Sequence, residues 1–171
     1  MLILAGGLLA GSLLGVIIFF AGSGAQNTKQ NSPVSGKAFP EVTLTDLNGS
    51  QVSLASYKGH PMIVNFWATW CAPCKVEMPL LQSYAQRYQE LKLIGINNDE
   101  SAQTVKKFLN DNNVQIEVLL DKGGMVASQF NVFGFPTTYF VDANGVMRGL
   151  YIGELDAELL NGYLPKIGIK P

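Results

Sequence analysis

The chain has 171 residues, 47% of them hydrophobic and 15% charged, with a formal net charge of −1. That length suits one domain, and the near-neutral balance gives no electrostatic reason to bind nucleic acid or an anionic surface. With 2 cysteines and 1 histidine, there are too few ligands for the usual four-coordinate structural zinc site.

The charge is unevenly spread. No Asp, Glu, Lys, Arg or His precedes Lys29, and Met1 to Gly22 is almost wholly apolar. As a helix rising ~1.5 Å per residue, that run reaches about 33 Å, enough for a bilayer core of ~30 Å. Residues 1–25 are therefore expected to form a transmembrane anchor. Ser23-Gly24-Ala25 also has the small-x-small look of a cleavage site, which keeps a removable signal as the alternative. Residues 26–38, polar and carrying Pro33, read as a flexible tether, and the folded domain is expected over 39–171.

Phe39 to Leu44 alternates as a strand, Asn48-Gly49 signals a two-residue hairpin turn, and Gln51 to Leu54 returns as its partner. His60, before Pro61, reads as a solvated turn residue. Met62 to Trp67, rich in β-branched and aromatic residues, reads as a buried strand. Trp70-Cys71-Ala72-Pro73-Cys74-Lys75 follows at once and leads into a helix with Val76, Leu80, Leu81, Tyr84 and Tyr88 on its apolar face.

Both cysteines thus fall at a strand-to-helix turn. The first turn of a helix has unpaired N–H groups and the positive end of the macrodipole, so charge on the Cys71 sulfur is stabilised there. A thiol pKa of ~8.5 can fall to ~7 or below in such a Cys-x-x-Cys site, and a drop of about 1.5 units favours thiolate by roughly 2 kcal/mol. Pro73 suits the first turn, where its missing N–H would be unpaired anyway. Cys74 shares the helical face of Cys71 and can close a short disulfide with it. Cys71, nearer the solvent end, is the expected nucleophile and Cys74 the resolving thiol.

Further along, Pro79 bends the helix, Leu91 to Asn97 is a central strand, Glu100 to Asn112 a helix and Ile116 to Leu120 another strand. Lys106 and Lys107 read as solvated charges on the helix face. Gly124 to Phe130 makes a short helix, Asn131 to Phe135 a loop, and Thr137 to Val141 a strand led by Pro136. Asn144-Gly145 turns into Val146 to Tyr151, and Glu154 to Leu164 forms the last helix, with Leu155 and Leu159 inward. No phosphate loop or dinucleotide fingerprint is present.

Val64-Asn65-Phe66-Trp67-Ala68-Thr69-Trp70-Cys71-Ala72-Pro73-Cys74-Lys75, with Pro79 and Phe135-Pro136-Thr137-Thr138, resembles the thioredoxin superfamily. More narrowly, it is similar to the ResA/TlpA-type membrane-anchored thiol:disulfide oxidoreductases of bacteria. The resemblance implies an α/β thioredoxin-like fold, a central mixed sheet flanked by helices, with an N-terminal β-hairpin and a helix–strand insertion. It implies a catalytic domain outside the cytoplasmic membrane and a cis Phe135–Pro136 bond facing Cys71. Thioredoxins typically hold a buried Asp where Asn65 stands, and an amide cannot titrate. ResA-like proteins have a functional Glu at the place of Glu77, so Glu77 joins Cys71 and Cys74 as a candidate catalytic residue, accepting the Cys74 proton. Trp70, Pro73, Phe135, Pro136 and Thr137 are the candidate substrate contacts, to which an extended segment could add like a strand.

The implied reaction is dithiol–disulfide exchange without a dissociable cofactor or metal, the electrons residing in the Cys71–Cys74 pair. Reduction of apocytochrome c, fed by a membrane thiol donor of the CcdA/DsbD kind, is what the resemblance suggests. A disulfide oxidase or isomerase would use the same cysteines. A peroxiredoxin-like peroxidase fits less well, because the proline of its Pro-x-x-x-Thr/Ser-x-x-Cys motif is missing. A copper carrier of the Sco type would want Cys-x-x-x-Cys and a downstream His.

Overall fold

The computed structural model describes residues 35–170. The expected anchor and most of the tether lie outside these residues. Among the described residues no helix is long and apolar enough to cross a membrane.

The strands are β1 (Thr43–Asp46), β2 (Gln51–Ser53), β3 (Met62–Trp67), β4 (Lys92–Asn98), β5 (Glu117–Asp121), β6 (Thr137–Val141) and β7 (Met147–Ile152). The helices are α1 (Ala72–Arg87), α2 (Ala102–Asp111), α3 (Met125–Gln129) and α4 (Ala157–Tyr163). One 7-stranded sheet runs in the order β2-β1-β5-β4-β3-β6-β7. β4 lies parallel to β3 and to β5, whereas β6 and β7 form an antiparallel hairpin on the other side of β3. The chain is thus the mixed α/β sheet expected of a thioredoxin-like fold. The hairpin β1–β2 joins it through the inserted strand β5, to which β1 is antiparallel.

Strand periodicity decides what faces what. Met62, Val64 and Phe66 point to the cluster that includes Val126, Ala127 and Phe130 around α3. Ile63 packs instead with Leu81, Tyr84 and Leu160, and Trp67 with Met78, Phe108 and both cysteines. Asn65, between Ile63 and Trp67 in this alternation, therefore points beneath α1.

Several boundaries differ from the sequence reading for identifiable reasons. Both hairpins turn through one residue more than Asn-Gly alone suggests, namely Leu47–Gly49 and Ala143–Gly145. Asp46 and Asp142 each accept two turn N–H groups, and Gly49 and Gly145 take positive φ. Lys37 and Ala38, assigned to the tether, belong to the domain, since the Met147 N–H donates to the Lys37 carbonyl and Ala38 bridges to Val146. Val76, assigned to the apolar face of α1, is 64% exposed, and Glu77 is buried in its stead. α2 starts only at Ala102, because the Ser101 hydroxyl caps it by accepting the Thr104 N–H. Glu100 is thereby left in the preceding loop. Likewise α4 is capped by Asp156, so the buried Leu155 precedes the helix instead of lying in it.

Gly149 makes room for an aromatic stack. Tyr163 lies flat on Phe140, centroids 4.1 Å apart, and a β-carbon at Gly149 would come within 2.5 Å of the Tyr163 ring. G149A is expected to cost about 1–3 kcal/mol by forcing the ring off its partner. A lowered denaturant midpoint would register this, and an unchanged midpoint would refute it.

Candidate active site

Cys71 ends the turn after β3 and is itself the N-cap of α1. Its sulfur accepts the Cys74 N–H at 3.2 Å. The Cys71 N–H in turn bonds to the Ala68 carbonyl, which closes the turn Ala68–Cys71. Pro73 sits in the first turn of the helix, as its lack of an N–H favours. The two sulfurs are bonded, with Cα atoms 5.3 Å apart. Cys71 is 4% exposed and Cys74 0%, so an incoming sulfur can reach only Cys71. The expectation of a more accessible first cysteine holds in order, though both are buried.

Glu77 lies on the buried stripe of α1 with Cys74, Met78, Leu81 and Tyr84. It is 1% exposed, and no ion pair forms between Glu77 and Lys75. One carboxylate oxygen accepts from the Asn65 amide at 2.7 Å and the other from the Leu155 N–H at 2.8 Å. Burial pushes its pKa up to about 7. The two hydrogen bonds resist that rise, and the nearby charge of Glu154 adds to it. The Asn65 amide also donates to the Thr138 hydroxyl at 3.0 Å, tying α1, β3 and β6 together beneath the disulfide.

The loop Asn131–Phe135 brings the second set of candidates. The Phe135–Pro136 bond is cis. Trp70 is 65% exposed and meets Phe135 edge-on, with centroids 5.8 Å apart. Phe135 itself packs on the cluster that contains both cysteines. Pro136 is buried, and its carbonyl accepts the Gly153 N–H. Thr137 does not offer its side chain outward: it is 2% exposed, and its hydroxyl donates to the Gly134 carbonyl. It shapes the loop, and any contact it makes with a partner goes through its backbone. Pro73 is half-buried beside Cys74. His60 lies in an exposed bend before β3, at the end of that strand remote from Cys71.

Three features are not legible in the sequence pattern. Phe133, 92% exposed, reads only as a loop residue. Leu155 contributes a backbone N–H, which no side-chain pattern reveals. Glu100 accepts both the N–H and the hydroxyl of Thr69. The one available signal for it was the Ser-x-x-Thr cap beginning directly after it.

Comparison with known proteins agrees with this geometry. Residues 35–150 match the model of the AhpC/TSA family. The chain is 37% identical over 134 residues to the thiol-disulfide oxidoreductase ResA of Bacillus thuringiensis (strain Al Hakam), covering 77% of this chain and 78% of that protein. It is 36% identical over 138 residues to the thiol:disulfide interchange protein DsbE of Vibrio cholerae, covering 79% and 74% respectively. Among solved structures, a protein described as a putative thiol:disulfide interchange protein DsbE from Chlorobium tepidum superposes with a TM-score of 0.72 at 26% identity, over 78% of this chain and 98% of that one. With a bonded cysteine pair capping α1 and a cis-proline loop packed against it, the chain belongs to the AhpC/TSA family and, within the thioredoxin superfamily, to the ResA-type thiol-disulfide oxidoreductases.

Proposed function

We propose that this oxidoreductase reduces disulfides of extended polypeptides outside the cytoplasmic membrane, in the manner of cytochrome c maturation. In the dithiol form, the Cys71 thiolate attacks a substrate disulfide. A Cys71–substrate bond forms, the substrate S–S bond breaks, and one substrate thiolate leaves. Cys74 then gives its proton to Glu77 and attacks the Cys71 sulfur, the Cys71–substrate bond breaks, and the second substrate sulfur leaves as thiolate, to be protonated by water. Two electrons pass to the substrate, and the protein ends as the disulfide.

The observation that supports the reductant direction is the burial of Cys74 on the same stripe of α1 as the buried Glu77. A thiolate at Cys74 beside a buried carboxylate is costly, so ionisation of that thiol does little to stabilise the dithiol form. The pair therefore favours giving electrons away. Trp70 and Phe135 supply apolar area beside the cysteines. Phe135 has no backbone hydrogen bond among the described residues, which leaves its peptide groups free to pair with an added strand. Apocytochrome c is the proposed substrate and a membrane thiol protein of CcdA/DsbD type the proposed electron donor. The apolar run in residues 1–25 is the proposed anchor.

A redox titration against glutathione tests the direction. A potential near the thioredoxin value of about −270 mV is expected, and one near −120 mV would make the protein an oxidase.

A further inference from the structure

Trp70 is mostly exposed, so burial does not hold its ring in place. Its position is inherited from the backbone of the turn Ala68–Cys71, which is short and carries no regular structure. Apart from the Cys71 N–H bond to the Ala68 carbonyl that closes it, what holds that turn comes from a different part of the chain. Thr69 gives its N–H to Glu100 Oε2 at 2.7 Å and its hydroxyl to Glu100 Oε1. Glu100 is fixed in turn by Asn97, whose amide donates to Oε2 at 2.8 Å. Asn97 is 0% exposed, lies opposite Trp67 in the β3–β4 pair, and its own side-chain oxygen has no partner among the described residues. Leaving a buried acceptor unmet is costly. The amide that incurs that cost is the one that aims the Glu100 carboxylate.

We propose that Glu100 is a positioning residue for substrate binding: it clamps the turn before Cys71 at Thr69 and so holds Trp70 against Phe135, ready to receive an extended polypeptide. The inference rests on the reading of Trp70 as a substrate contact. A carboxylate suits the task because its two oxygens together accept three donors from two segments. Without the clamp, the turn regains conformational freedom that each substrate must remove again on binding, which raises KM. The sulfur chemistry downstream is touched less.

The test is steady-state reduction of a synthetic peptide carrying an oxidised Cys-x-x-Cys-His site with extended flanks, a small-molecule dithiol re-reducing the Cys71–Cys74 disulfide and its direct reduction of the peptide subtracted, with kcat and KM read separately. E100A is expected to raise KM about tenfold while kcat changes by less than about threefold. E100Q is expected to keep KM within about twofold of the parent. Its amide oxygen can take both N–H donors while its amide nitrogen donates to the Thr69 hydroxyl, which also accepts. W70A is expected to raise KM as well, and E100A/W70A to be no worse than W70A alone, since Glu100 acts through Trp70.

A normal KM in E100A beside a raised KM in W70A overturns the clamp and leaves the substrate reading standing. Normal values in both variants overturn the two together. E100Q as impaired as E100A, or additive effects in the double variant, also overturns the clamp. Should E100A fail to fold, T69V removes only the hydroxyl bond and is expected to raise KM about threefold; an unchanged KM there counts equally against the proposal.

Discussion

Replacing Cys71 with serine is expected to lower peptide-disulfide reduction by roughly 10³-fold or more, since a hydroxyl at the same place is hardly ionised and forms no disulfide. The structure gives the reason why Cys74 cannot substitute. Cys74 is 0% exposed, whereas Cys71 is 4% exposed and caps the helix. The helix N-terminus beneath Cys71 stabilises negative charge on that sulfur, and the Cys74 N–H already points at it. C74S should behave differently. It keeps the attack but lacks the thiol that releases the product, so turnover stops after one covalent step. Loss of both activities to the same degree, with no covalent adduct in either variant, would argue against separate roles.

E77Q is expected to flatten the pH dependence of two properties. In the folded disulfide form, burial raises the Glu77 pKa to about 7 from its ordinary 4.5. Between these values the folded state binds a proton that the unfolded chain has released. Folding stability from this group is therefore fully present below about pH 4.5 and declines as pH rises through about 7. The full difference is about 3 kcal/mol by linkage. Glutamine has no proton to release, so E77Q should lose this slope and gain stability relative to the parent at pH 8.

The kinetic consequence has the opposite sense. A base is useful only when ionised, so exchange through Cys74 should rise as Glu77 loses its proton. E77Q should lack that rise and be slower at pH 8 by on the order of 10². Parallel pH profiles for parent and variant would remove Glu77 from the mechanism.

The fold class and the chemical pair were legible because they depend on short-range patterns. A β-branched and aromatic run meeting Cys-x-Pro-Cys at a helix start leaves few alternatives, and Phe135-Pro136 is as local a signal. What was not legible depends on which face of an element turns inward, or on one residue reaching another far along the chain. Val76 reads as core by polarity and is exposed, and spacing alone leaves Glu77 open between surface and site, yet the helix buries Glu77, because Asn65 and the Leu155 N–H are there to meet it. Glu100 reads as the start of α2 because it precedes a helical pattern without a break. The Ser101 hydroxyl starts that helix later, which frees the carboxylate to reach Thr69. Leu155 reads as part of the last helix for the same reason, whereas Asp156 is the cap. The aspartates at the two hairpins lengthen their turns by bonding to N–H groups that an Asn-Gly rule ignores.

The most direct test of the account is to mix reduced C74S with the oxidised Cys-x-x-Cys-His peptide and map the adduct by mass spectrometry after digestion. The peptide should be found disulfide-bonded to Cys71. No adduct at Cys71, under conditions where the parent protein reduces the same peptide, would contradict attack by that sulfur.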